Sequence, residues 1–375
     1  MHNSEKWVAV AFDLNFRHAA EIFSGVSDYV QTNKLDWQLL PLNFGFEAKL
    51  MTLADSGKLD GVIGTFVSDG WVSGLTEKGI EAVNLFQFSK IDSIQSISAN
   101  DAKIGKQAAE HLKAQGVRSF FFYGADGVYY TRLRKAGFQE NVPVSSYQEV
   151  SHNGSLSDQL KHIKNAPKPC GVFCSSDRLA RELIIEARTQ GLEPGKELLI
   201  VGMDNDPTES IFAGIGITSF KLPSREIGTL AAEQLHRNFE SEIRQPQTHY
   251  SSDPILAPRE SSLGSGPARI AQRAANYITE NLNESTLEVE VIAKHVGVSR
   301  RTLEQAFKQQ LNTSPYRMLS EQRLKRAHQQ LTDTLKPIME VGRFCGYPEA
   351  HHFSAWFKKH TGLAPKAYRE AKKTT

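Results

Sequence analysis

Short β-branched or aromatic runs alternate with longer helical patterns over the first 262 residues. Trp7–Phe12 reads as a strand. The next segment, Arg17–Thr32, places Ala19, Ile22, Phe23, Val26, Tyr29 and Val30 at the three-and-four spacing of a helix with one buried face. Further strands are expected at Trp37–Pro41, Gly61–Phe66, Ala82–Phe86, Ser119–Tyr123, Gly171–Cys174 and Leu198–Gly202. Helical patterns lie between them, notably Asp101–Gln115, Asp177–Gln190 and Pro223–Phe239. Strands alternating with helices imply parallel sheets covered on both faces. The length is large for one such layer, so two similar α/β lobes are expected, forming a domain over residues 1–262.

The pattern changes after Pro258. Pro258–Pro267 is rich in Ser, Gly and Pro and reads as a linker. Helical patterns follow, and the segment repeats: Leu303 and Phe353, Phe307 and Phe357, and Pro315 and Pro365 each stand 50 residues apart. Each copy has a short helix, a glycine turn at Gly297 or Gly346, and a second helix. Such a repeat predicts paired helix-turn-helix units, at about 287–310 and 337–360, in an all-α domain over residues 263–375. A helix over Ala268–Leu282 precedes the first unit, and a long helix over Pro315–Thr332 joins it to the second. The buried stripes are Leu303, Ala306 and Phe307, then Phe353, Trp356 and Phe357.

Charge divides the same way. The net charge is only +2, but from Leu263 onward there are 18 Lys+Arg against 10 Asp+Glu, and before it 26 against 32. A basic end on an acidic body fits a polyanion-binding module fused to something that does not bind polyanions. Cys170, Cys174 and Cys345 are too sparse for a disulfide framework and are expected as small core residues in a reducing compartment. The start of the chain lacks the apolar core of a signal peptide, and no run of about 18 apolar residues suggests a membrane span. A cytoplasmic protein is the expectation.

Ligands of open α/β sheets bind beyond the carboxyl ends of the strands. There the sequence places Asp13, Asn15 and Arg17, then Ser68, Asp69 and Trp71, then Asp101, Arg132 and Arg134. Ser175, Ser176 and Asp177 follow, then Asp204 and Asn205. Carboxylates, amides and a fork-shaped guanidinium suit a sugar, whose hydroxyls both donate and accept. Phe16, Phe44 or Trp71 could stack on a ring. The plainer alternative is that Asp13, Asp101 and Asp177 cap helices. No G-x-G-x-x-G, G-x-S-x-G or P-loop follows any strand, so nothing favours an enzyme. No cofactor or metal is expected. His351 and His352 are adjacent on a helix and should point in different directions.

Several of these segments resemble the effector domain of LacI-type repressors, itself similar to periplasmic sugar-binding proteins. They are Asn100-Asp101, TRLRKAGF at Thr131–Phe138, CSSDRLA at Cys174–Ala180, IVGMDND at Ile200–Asp206 and PRESS at Pro258–Ser262. The resemblance implies sugar contacts at Asp101, Arg134, Ser176 and Asp204. Ser176 departs from the family's asparagine. The carboxy-terminal repeats resemble the DNA-binding domain of the AraC/XylS family, with G-Y, F-x-x-W-F-K-K and P-x-x-Y-R in order within the second unit.

In helix-turn-helix geometry the start of each second helix meets base edges. That points to Arg300, Arg301, Glu304 and Gln305 in the first unit and to Ala350 and His351 in the second. Lys308, Lys358, Lys359, Arg317 and Arg369 are expected at phosphates. The AraC/XylS resemblance singles out Arg301 and Gln305 as readers. At the matching positions of the second unit stand Ala350 and Ala355, so weaker readout is expected there. The expected partners are therefore promoter DNA, a small sugar, a second copy of the chain and RNA polymerase.

Overall fold

The computed structural model describes residues 5–11, 18–42, 46–125, 127–151, 155–240, 245–264, 266–334 and 336–373. The chain divides into two compact units, Met1–Ser262 and Leu263–Thr375.

The first unit has two lobes, each built on a six-stranded sheet. Lobe one takes β1 (Lys6–Ala11), α1 (Ala19–Thr32), β2 (Trp37–Leu42), α2 (Phe46–Asp55), β3 (Gly61–Gly64), α3 (Asp69–Thr76), β4 (Glu81–Leu85) and β5 (Ser96–Ser98). The chain then enters lobe two through α4 (Asp101–Ala114), β6 (Ser119–Gly124), α5 (Tyr129–Gln139), β7 (Tyr147–Ser151), α6 (Leu156–Asn165), β8 (Cys170–Cys174), α7 (Asp177–Thr189), β9 (Leu198–Met203), α8 (Pro207–Ala213) and β10 (Thr218–Lys221). Helix α9 (Ser224–Glu240) and β11 (Thr248–Tyr250) return to lobe one, and β12 (Ile255–Ala257) ends in lobe two. The strand orders are β11-β5-β4-β3-β1-β2 and β12-β10-β9-β8-β6-β7. All pairings are parallel except the antiparallel β10–β12 pair.

This is the two-lobed doubly wound architecture expected from the alternation. Central strands such as Ser-Phe-Phe-Phe-Tyr-Gly in β6 and Leu-Leu-Ile-Val-Gly-Met in β9 are buried along their whole length, as parallel strands covered by helices on both faces must be. Each sheet carries an apolar cluster on either face. Strands β5, β7, β10, β11 and β12, three to five residues each, escaped the sequence reading. They are too short to carry a readable period, and sheet pairing creates them. Three crossings join the lobes, after β5, after β10 and between β11 and β12. Residues near the first two line the site described below.

The second unit is all helical: α10 (Pro267–Glu280), α11 (Val289–Val296), α12 (Arg300–Leu311), α13 (Pro315–Asp333), α14 (Ile338–Phe344), α15 (Ala350–Thr361) and α16 (Pro365–Lys373). Gly297 and Gly346 make the turns at φ +75° and +79°, where a Cβ would be strained. Ser299 caps α12, accepting from the Thr302 amide at 3.1 Å. One apolar cluster holds Leu303, Ala306 and Phe307, and a second holds Phe353 and Phe357. Trp356 differs from expectation: it is only half-buried, stacking on Tyr347 with centroids 4.8 Å apart.

Candidate functional site

Helices α4 and α5 cross unusually closely. A Cβ on Gly137 would lie 1.9 Å from the Ala102 carbonyl oxygen, and one on Gly105 would lie 2.1 Å from that of Arg134. Only glycine permits this approach. It brings Arg134, one turn into α5, against Asp101, the first residue of α4. Arg134 Nε donates to Asp101 Oδ1 at 2.7 Å, and Nη1 donates to the Ser175 carbonyl at 2.8 Å. The guanidinium carbon sits 4.5 Å from the centroid of the Tyr130 ring. Both charged side chains are almost fully buried.

Burial pushes the Asp101 carboxyl up, Arg134 pulls it back, and the charge of Asp204 adds to the rise. Burial also acts against the Arg134 charge, but Asp101 and Asp204 together hold its proton above the ordinary value. An arginine keeps its charge in any case, so Asp101 accepts from a charged donor. The bonds to Asp101 and Ser175 use two of the five guanidinium N–H donors. The others can serve a hydroxylated ligand.

Asp204 directly follows β9 and keeps about a quarter of its side chain exposed (24%). It and Asn205 take φ of +98° and +52°, consecutive left-handed residues that cost roughly 1–3 kcal/mol each. The turn is held by the Asn205 amide donating to Ser219 Oγ at 2.9 Å and by Arg259 donating to the Asn205 side-chain oxygen. Arg259 also donates to the Ile217 carbonyl at 2.6 Å. Arg259→Ala is therefore expected to lower unfolding free energy by ~1–3 kcal/mol, read as a lower urea midpoint with unchanged slope. From lobe one, His18 Nε2 lies 3.7 Å from Asp204 Oδ1, while Nδ1 meets Ser224 Oγ at 2.9 Å. The same site thus collects residues from α4, α5, the β8 and β9 ends and the segment before α1.

Asp101, Arg134, Ser176 and Asp204 fall in this region, Asp101 opening α4, Arg134 inside α5, Ser176 capping α7 and Asp204 just after β9. Asp13, Asn15, Phe16, Arg17 and Phe44 lie outside the described residues. The helix-cap alternative is corrected. Asn100 caps α4, accepting from the Lys103 amide at 3.0 Å, and Ser176 caps α7, accepting from the Leu179 amide at 3.3 Å. Asp101 and Asp177 are the next residues in. Asp177 is instead buried beside β9, where one oxygen accepts from the Asp206 amide at 2.7 Å; burial pushes its carboxyl up to about 8. The Ser176 oxygen thus serves the cap. Asp69 ties down the amides of Asp92 and Ser93 at 3.1 and 2.9 Å, a loop-holding role. His18, Tyr130 and Arg259 were missed. Nothing local in sequence marks them, since their roles come from the meeting of distant segments.

On the helical unit, Arg301, Glu304, Gln305 and Lys308 are exposed on the face of α12 opposite its buried stripe. Arg300 pairs with Glu290 and, at 2.8 Å, with Glu304. That brace fixes α12 against α11 and engages Glu304, while Arg301 and Gln305 stay exposed on the same face. His351, Lys358 and Lys359 are exposed on α15, and Ala350 is half-exposed. Arg317 pairs with Glu321 at 2.8 Å, and half-buried Arg369 donates to the Leu331 carbonyl at 3.3 Å. The His351 and His352 rings lie only 4.1 Å apart, because rotamers override the helical divergence of adjacent residues. Among the described residues no three His, Cys, Asp or Glu side chains could hold a metal, and no helix is long and apolar enough to cross a membrane. The three cysteines are free and buried.

Comparison with known proteins matches residues 109–262 to a periplasmic binding protein-like domain and residues 292–371 to a helix-turn-helix domain. The chain is 24% identical over 384 residues to the xylose operon regulatory protein of Escherichia coli strain K12, covering 97% of this chain and 96% of that one. The arabinose operon regulatory protein of the same strain is 36% identical over 98 residues, 26% of this chain and 34% of its own. These relatives are transcription regulators, not enzymes. A solved structure of the xylose-binding transcription activator xylR superposes with a TM-score of 0.57 at 22% identity, covering 99% of each chain. The cellobiose complex of the regulator CelR gives 0.56 at 19% identity, over 69% of this chain and 85% of that one.

Proposed function

For a chain that joins a periplasmic-binding-protein-like domain to an AraC-type helix-turn-helix domain, in the order of the xylose operon regulators, we propose a sugar-responsive transcription regulator. The observation that carries the sugar is the buried Arg134–Asp101 pair beside Asp204, where three charges meet between lobes. A pyranose or furanose ring would place hydroxyls where Asp101 and Asp204 accept and Arg134 donates. The ligand is a monosaccharide, with pentoses first, because the xylose regulators match along nearly the whole chain. Sugar alters DNA affinity only in so far as it binds two sensor conformations unequally.

A thermal-shift screen of monosaccharides tests the sensor. A ligand at 100 times its Kd stabilises by about 2.7 kcal/mol, so a hit raises Tm by several degrees. No shift with any pentose or hexose would overturn the sugar assignment while leaving DNA binding standing. Run-off transcription with RNA polymerase on the bound promoter tests the direction, which we take to be activation. Less transcript on adding sugar would reverse it.

The regulator acts as a homodimer in this reading. Ile211 and Phe212 on α8 are 75% and 66% exposed, with Ile185 on the adjacent α7 also open to solvent. Large apolar side chains grouped on one face suit a second copy. Phe212→Asp is expected to convert a dimer to a monomer in light scattering. A wild-type monomer, or a dimer that survives the substitution, would count against this surface.

A further inference from the structure

Arg323 stands in the middle of α13, the helix joining the two helix-turn-helix units, and its side chain is buried at 7% exposure. Among the described residues no carboxylate lies within ion-pair distance of it. Its partners come instead from the segment leading into the first helix-turn-helix and from the turn of the second. Nε donates to the Leu282 carbonyl at 3.2 Å and Nη2 to the Glu284 carbonyl at 2.6 Å, in the stretch between α10 and α11. Those carbonyls follow the C-terminal end of α10, where the helix dipole favours a cation. On the other side the guanidinium lies 5.4 Å from the centroid of Tyr347, in the turn of the second unit, and Tyr347 stacks on Trp356 of α15. Gly346, the turn glycine, leaves room for it: a Cβ there would lie 2.4 Å from Arg323 Nη2 and 2.7 Å from the Leu282 oxygen.

A buried charge without a counter-ion is a poor way to gain stability, and well-packed apolar residues usually do as well or better. What a guanidinium offers is direction. Its planar fork bonds two carbonyls in a fixed plane while a ring packs on its face. We propose that Arg323 is a positioning residue that locks the separation and angle of the two reading helices, α12 and α15, and so sets the half-site spacing that the protein accepts on DNA. Two helices entering successive major grooves must sit about 34 Å apart along the duplex. One base pair of error rotates the second site by roughly a tenth of a turn, given 10–10.5 base pairs per turn. A joint that holds this geometry converts spacing into specificity without touching a base. The proposal rests on the DNA-binding reading given above.

The test is selection from a duplex pool with 30 random base pairs, using the full chain as wild type, Arg323→Lys, Arg323→Met and Gly346→Ala. Lysine keeps the charge and stem but loses the planar fork. Alanine at 346 presses a methyl on the same guanidinium. The wild type should recover two short motifs at one separation. The variants should recover the same motifs, because α12 and α15 are unaltered, but spread over several separations. Inserting one base pair between the motifs should weaken wild-type binding by ~10-fold or more, the scale of a mismatched pair, and the variants by under about threefold. An unchanged separation and insertion penalty in folded variants would overturn the proposal. So would unfolding of all three variants, because the residue would then be a plain support of the fold. A wild type that recovers no duplex would overturn the DNA reading itself, a different outcome from a wild type that recovers one undivided motif.

Discussion

Arg134→Ala is expected to abolish the sugar-dependent rise in Tm and to lower stability by ~3–5 kcal/mol, the usual result of removing one partner of a buried ion pair. The stability loss follows from Asp101. Its carboxylate is held by Arg134 Nε and is almost fully buried, so truncation strands a charge in a low-dielectric site. The carboxyl would then take up a proton, since burial already pushes it upward. The Ser175 carbonyl loses its donor as well. Ligand affinity falls because each hydrogen bond to a charged group is worth about 1.5–3 kcal/mol, or roughly ten- to a hundredfold. Arg134→Lys separates the two effects. It keeps a cation near Asp101 but cannot form the fork, so the protein should fold while the sugar response is lost. Asp204→Asn offers a third arm at a partly exposed side chain where little stability is at stake. A normal sugar-induced shift in Arg134→Lys and Asp204→Asn together would remove this cleft from the mechanism.

Arg301→Ala and Lys358→Ala are expected to weaken DNA binding in different ways. Arg301 is exposed on the first turn of α12, where a helix-turn-helix presents side chains to base edges, and a bidentate contact to guanine discriminates by ~1–3 kcal/mol. Its loss should reduce specific affinity by that amount and relax the preference at one position. Arg300, beside it, is tied to Glu290 and Glu304 and should matter through the placement of α12 instead. Lys358 is exposed toward the end of α15, away from the turn that starts this helix. Lys358→Ala should weaken specific and random duplexes alike and reduce the slope of log affinity against log salt by about one. Equal losses on specific and random duplexes for Arg301→Ala would remove it as a reader.

Much of this architecture is legible in residue order because it rests on period and punctuation. The helical unit came out within a few residues at most ends. Gly297 and Gly346 mark the turns, Ser299 caps α12, and Pro315 and Pro337 stand at or beside helix starts; α16 was not expected. The long buried strands were equally plain. Short strands such as β5 and β11 were not, because three residues carry no period and exist only through their neighbours. The same limit appears at the site. Asp101 and Asp177 look alike as acids opening helices, yet Asp101 meets an arginine while Asp177 is packed beside β9 and holds the Asp206 amide.

The order of residues therefore determined the two-part architecture, the helix-turn-helix repeat and the positions of the polar groups at strand ends. Each of these follows from local preference and hydrophobic periodicity. Tertiary structure decided which of those groups meet. Gly105 and Gly137 bring two helix backbones close enough for Arg134 to reach Asp101, His18 arrives beside Asp204 from lobe one, and Arg323 joins the carbonyls before the first helix-turn-helix to a ring in the turn of the second. Such pairings depend on distances between segments far apart in the chain, and packing sets those distances.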